Sequence, residues 1–242
     1  MKIFNTIRRK LLAQNKIKSY LTYAFGEILL VVLGIFIGLQ VNKWSELRVK
    51  QNKITAYYER IDQEMDMAIE LIEHNNIFSE NLIVGLQLCQ TKMQNGEIDS
   101  ALMENLKYLS DNESQTFFFP VIDEFLTQGY LATLKDNLLR LKIQQLQYNR
   151  KQSDLDDLNL QEFDNHLLKP ALSTKLNFQD IDFNSIHQSK TITHLHSTDY
   201  QLLANDIQFW NLITYRINIE KNLIMSNLGM LRTLRTIKKI TQ

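Results

Sequence analysis

Apolar residues along this chain fall into two kinds of pattern. Residues 28–39 read ILLVVLGIFIGL without a charged or amide side chain, and widening the window to residues 21–41 admits only Glu27 and Gln40 as strongly polar interruptions. That is the length and character of a transmembrane helix, which needs about 20 mostly apolar residues to cross about 30 Å of hydrocarbon. From Ile54 the pattern becomes periodic. Ile54, Tyr58, Ile61, Met65, Ala68 and Ile72 step by four and three, and Phe78, Leu82, Gly85 and Cys89 resume the stepping after a small phase shift near His74-Asn75-Asn76. The spacing predicts one long helix packed along its length, closed by the turn signal Asn95-Gly96. Residues 97–110 read as a short helix, Pro120 opens another, and a longer one runs over about 138–168 until Pro170 ends it. Residues 171–198 lack a clean period. Asp199 then caps a final helix whose apolar face includes Leu203, Ile207, Trp210, Ile213, Ile217, Ile224, Leu228 and Leu231.

The expectation is an all-α chain in which one N-terminal transmembrane helix continues into a long helix of an antiparallel helical bundle. Its divisions are a basic segment over 1–20, the span over 21–44, a stalk and first bundle helix over 45–95, and the rest of the bundle over 96–242. Tyr20 and Tyr23 at one end of the span and Trp44 at the other suit the two membrane interfaces. Tyr23 and Trp44 are roughly 31 Å apart on a helix. Glu27, Leu30, Val31, Gly34 and Gly38 share one stripe, and Gly34-x-x-x-Gly38 permits close approach of a second helix. The bland alternative is a glycine-containing span with Glu27 snorkelling to the interface. Lys2, Arg8, Arg9, Lys10, Lys16 and Lys18 precede the span with no acid among them. Lys43, Arg48, Lys50 and Lys53 follow it, partly offset by Glu46. The bias puts the N-terminus in the cytoplasm and the remainder outside. A cleaved signal peptide is the rival reading, though residues 38–42 offer no small-x-small site.

The blocks Ile7-Arg8-Arg9-Lys10-Leu11-Leu12-Ala13-Gln14-Asn15-Lys16, Tyr20-Leu21-Thr22-Tyr23-Ala24-Phe25-Gly26-Glu27-Ile28 and Leu39-Gln40-Val41-Asn42-Lys43-Trp44 resemble one family of small membrane proteins. It is an uncharacterised family from Bacteroidota, chiefly flavobacteria. A looser block, Glu124-Phe125-Leu126-Thr127-Gln128-Gly129-Tyr130-Leu131, is similar to a second segment of that family, with Gln128 where a small residue is usual. The resemblance implies an inner-membrane protein with a helical body in the periplasm, and it implies no activity.

Composition alters this picture at few points. The chain has 242 residues, 27 basic and 27 acidic, and one cysteine. A single cysteine excludes an internal disulfide or multi-cysteine metal site. Five histidines (His74, His166, His187, His194 and His196) include one His-x-His pair, which with Asp199 offers alternate ligands only if extended. The plainer reading is a solvated loop. Asp154, Asp156, Asp157, Glu162 and Asp164 alternate with leucines, as on the polar face of an amphipathic helix. Cys89 sits on the predicted seam as a small hydrophobe. No nucleophile elbow, phosphate loop or dinucleotide fingerprint occurs. Phe117, Phe118 and Phe119 form the densest apolar patch outside the span, either core at a helix junction or a partner surface. Arg232, Arg235, Lys238 and Lys239 end the chain as a basic amphipathic stretch, either a helix terminus favoured by the macrodipole or a membrane contact. Asp99-Ser100-Ala101 is similar to an O-glycosylation sequon of Bacteroidota. The expected function is therefore a non-enzymatic structural or interaction protein with no cofactor. Its partners are the lipid bilayer and either itself or another membrane or envelope protein, not nucleic acid. A ligand-binding or sensor module acting through a partner is the alternative.

Overall fold

The computed structural model describes residues 17–113, 116–177 and 197–242. These residues form helices, with no strand among them. α1 runs over Ile17–Asn95, α2 over Ser100–Leu106 with a 3-10 turn at Lys107–Leu109, and α3 over Pro120–Thr127. α4 spans Asn137–Phe163 and passes through a π-helical turn, Asp164–Leu168, into α5, Lys169–Lys175. α6 is Tyr200–Ala204 and α7 is Ile207–Thr241. Two compact units result, residues 1–56 and 57–242.

In the first unit α1 carries the apolar run. It is the one helix among the described residues long and apolar enough to cross a membrane. Its most apolar window has a mean hydropathy of 2.2 and is nowhere buried within the chain.

In the second unit the chain ends its helices with recognisable chemistry. α1 stops in a Schellman motif: Glu97 N–H reaches Lys92 O at 2.9 Å, Gly96 N–H reaches Met93 O at 3.1 Å, and Gly96 takes φ +72°. Asp99, Asp136, Asp199 and Asp206 cap α2, α4, α6 and α7, each accepting at least one backbone N–H of the following turn. α3 has no such cap, because Phe119 precedes it. Pro120 removes one orphan N–H, and the Glu64 carboxylate of α1 accepts the next two, from Val121 at 2.7 Å and Ile122 at 3.0 Å.

The buried positions of the three long helices share one spacing. On α1 it runs through Ile54, Ile61, Met65, Ala68, Ile72, Asn75, Ser79, Leu82, Leu86, Cys89 and Met93, with half-buried Tyr58 completing the four-three alternation and Glu64, Asn76 and Gly85 buried beside it. The phase shift expected at residues 74–76 is absent: Asn75 and Ser79 fill the seam where the apolar pattern pointed to Phe78. On α7 the same alternation runs through Phe209, Ile213, Arg216, Glu220, Leu223, Asn227, Met230, Leu234 and Ile237. Of the face expected there, Ile213, Ile217 and Leu231 are buried, whereas Ile207 and Leu228 are exposed and Leu203 belongs to α6. The final helix also begins later than expected, at Asp206, because Asp199 caps only the short α6.

Pro170 does not end the helical run. Lys169 N–H closes on Asp164 O, five residues back, and this widened turn lets the proline enter in the first turn of α5. One core cluster draws Leu82, Leu86, Cys89 and Met93 of α1 together with α2, Phe163, α5, α6 and the first turns of α7. Pairs across α1 and α7 are Gln90 with Thr214, Asn76 with Asn227, Glu73 with Arg235 and Asp62 with Gln242. Residue numbers fall on α1 as they rise on α7.

Candidate functional site

Two places combine chemistry with access. The first is the stripe on the apolar part of α1. Glu27, Leu30, Val31, Gly34 and Gly38 are all exposed, and a Cβ built on Gly34 or Gly38 would meet nothing within 4 Å. At the far end of the run Trp44 is 64% exposed, with the Arg48 guanidinium 5.7 Å from its ring centroid. Asn42 donates to Glu46 at 3.0 Å one turn away. A polar, aromatic exit of this kind suits a membrane–water boundary. Arg8, Arg9 and Lys10 lie outside the described residues, as do the side chains of Tyr20 and Tyr23.

The second place is a cleft of about 440 Å³ between the end of α4 and the middle of α7. Asp156, Asn159, Glu162, His166, Tyr215 and Asn222 supply its polar lining, and Phe163, Leu167, Ile219 and Leu223 its apolar lining. The π turn creates part of this wall, since it widens the helix where His166 and Leu167 sit. The rings of Phe163 and Tyr215 lie 5.2 Å apart and tilted by 37°.

Beside the cleft in sequence, a fully buried guanidinium anchors the two helices to each other. Arg216 donates to Asp164 Oδ1 at 3.3 Å and to the Asp111 carbonyl at 2.6 Å, and lies 2.8 Å from Glu220 Oε1. Asn112 donates to the other Asp164 oxygen. Burial pulls the Arg216 pKa down, while the Glu220, Asp164 and Asp111 charges push it back up. Burial raises the pKa of the Asp111 carboxyl. Burial of two carboxylates is tolerated here because the cation lies between them.

The remaining sequence-predicted residues separate clearly. Phe117 and Phe119 are buried and leave the candidate patch. Alternating backbone directions around an extended stretch leave only Phe118 outward, 79% exposed. Asp164 departs from the solvated face assigned to its neighbours, since it is the buried partner of Arg216. Asp154, Asp156 and Asp157 are half-buried and Glu162 is exposed. His74 is exposed beside a buried polar layer in which Asn227 donates to Asn76 at 3.0 Å. His187, His194 and His196 lie outside the described residues, among which no cluster of three potential metal ligands occurs. Cys89 is fully buried, and desolvation pushes its thiol up to about 12. Asp99 caps α2 and meets Lys92 at 2.6 Å. Of the basic C-terminal stretch, Arg235 pairs with Glu73 at 2.6 Å and Lys238 with Asp66.

Sequence reasoning missed the Arg216 cluster and the cleft. The available signal was the spacing of Arg216, Glu220 and Asn227, which continues the apolar alternation of α7 without a break. No family model matches this chain, and neither a curated protein nor a solved structure matches it.

Proposed function

We propose that this is a membrane-anchored structural or interaction protein of the bacterial inner membrane. In this reading the N-terminus is cytoplasmic, and residues beyond the span form an antiparallel helical bundle in the periplasm, presented to a second copy or to another envelope protein. No catalytic role is proposed. The observation that carries the reading is the exposed apolar surface of α1. Besides its apolar run, α1 leaves Met67, Leu71, Ile77, Val84 and Leu88 between 41% and 66% exposed. Apolar patches of this kind mark interaction surfaces. Within the apolar run, Gly34 and Gly38 supply a site for helix approach.

The test is purification of the full chain in mild detergent, with cross-linking and mass spectrometry of whatever accompanies it. Recovery of dimers or of a stoichiometric envelope partner is expected. Val84→Glu with Leu88→Glu, or Gly34→Ile with Gly38→Ile, should disrupt that association while the chain stays helical. A monomer with no companion sinks the reading. The cleft between α4 and α7 favours a second reading, a ligand-binding or sensor module acting through a partner membrane protein.

A further inference from the structure

The α4–α7 cleft has a composition that selects its occupant. We propose that it binds a small organic cation, an ammonium group carried on an apolar or aromatic body. This inference rests on the reading of the cleft as a ligand site and names the class of ligand.

Four features converge on that chemistry. The volume, about 440 Å³, falls in the range of small-molecule sites, roughly 300–1,000 Å³. Two carboxylates line it, Asp156 and Glu162, and neither lysine nor arginine does. The nearby buried cation does not reverse that sign, because Arg216 is engaged by both Asp164 and Glu220. Local charge therefore favours a cation and disfavours an anion. The Tyr215 ring, 5.2 Å from that of Phe163, offers a π face, and cations are attracted to such faces. Phe163 is almost wholly buried, which fixes that wall, whereas Tyr215 is 54% exposed and accessible from solvent. Ile219 and Leu223 complete an apolar surface against which a hydrocarbon body loses contact with water. Asp156 is held in place by Gln152, whose amide donates to Oδ1 at 3.1 Å. The π turn that shapes this wall begins at Asp164, the residue that anchors Arg216.

The test uses the full chain in lipid nanodiscs, titrated calorimetrically with benzylammonium, with empty nanodiscs as the blank. Benzyl alcohol, of nearly the same shape without the charge, is the comparison ligand. Saturable binding of benzylammonium is expected, at least about tenfold tighter than that of benzyl alcohol. Asp156→Asn with Glu162→Gln should weaken it by about tenfold or more, and Tyr215→Leu by about fivefold. All three positions are at least partly exposed, and circular dichroism melts confirm that the variants fold. Equal binding of the alcohol, or an unchanged affinity in the carboxylate double variant, overturns the cation assignment and leaves a ligand site of another class. Absence of saturable binding by either probe overturns the site itself.

Discussion

Gly85 shows how one missing side chain sets a distance between helices. A Cβ at that position would lie 2.4 Å from Tyr108 Cδ2 and 3.0 Å from Asn105 Oδ1, so α1 meets the end of α2 and its 3-10 turn over a bare backbone. Alanine would gain about 0.5–1 kcal/mol of helix propensity, but forcing the ring aside costs about 1–3 kcal/mol. Gly85→Ala should therefore lose about 1 kcal/mol in denaturant titration. In a Tyr108→Ala background the same change should cost less or become neutral, because the closest obstruction is gone and only Asn105 Oδ1 remains near. Cys89, one turn further on, is a second residue-scale case. Its burial and its thiol pKa of about 12 predict no alkylation of the folded chain at neutral pH and rapid alkylation in denaturant. Equal labelling rates in both conditions would contradict the seam position.

The apolar alternation of α1 was legible in the sequence from Ile54 to Ile72 because each seam position there is hydrophobic or aromatic. It became illegible where the seam turns polar. Asn75 and Ser79 on α1, and Arg216, Glu220 and Asn227 on α7, are buried at the positions the alternation demands. Reading hydrophobicity alone discarded them, and this produced a false phase shift on α1 and a face on α7 that is buried only in part. The boundaries at Asn95-Gly96 and Pro120 fared better, since both are local signals, whereas the one cap read from sequence, Asp199, belongs to the short α6 and Asp206 caps the final helix. The cleft could not be read at all, because a π turn has no spacing signature and its lining comes from two helices distant in sequence.

Elements joined through buried charge make their own predictions. Arg216→Met leaves Asp164 and Glu220 buried beside each other without their cation, and should cost about 3–5 kcal/mol. Replacing the two acids as well, with Asp164→Asn and Glu220→Gln, should recover most of that loss. The α3 terminus tests linkage in a different way. Burial raises the Glu64 pKa above its ordinary value, against the lowering effect of the Val121 and Ile122 N–H groups. A carboxyl whose pKa is higher in the folded chain than in the unfolded one binds protons preferentially when folded. Its contribution is fully present below the unfolded value, near 4.5, and falls as pH rises through the raised folded value. Melts of the wild type across that interval should show stability falling with pH at this site. The Glu64→Ala variant should be less stable overall, having lost two helix-terminal acceptors, and should lack that component of the slope.

At the scale of the whole chain, a formal charge of zero conceals a division. Residues 1–53 hold ten lysines and arginines against two acids, while residues 54–242 hold 17 basic residues against 25 acidic. The excess near the apolar run is the kind that fixes orientation, because lysine and arginine close to a span resist transfer across the membrane. The basic C-terminal stretch does not compete for that role on equal terms, since Arg235 and Lys238 already face Glu73 and Asp66. Orientation should follow from the six basic residues before the run against four after it. A reporter that works only in the periplasm, fused after Gln242, should therefore be active. Changing Arg8, Arg9 and Lys10 to glutamine leaves three basic residues before the run and reverses the bias, so reporter activity should fall as a fraction of chains inserts the opposite way. A stable fusion that is silent in the wild type and active in the triple variant would reverse the proposed topology while leaving the span itself in place.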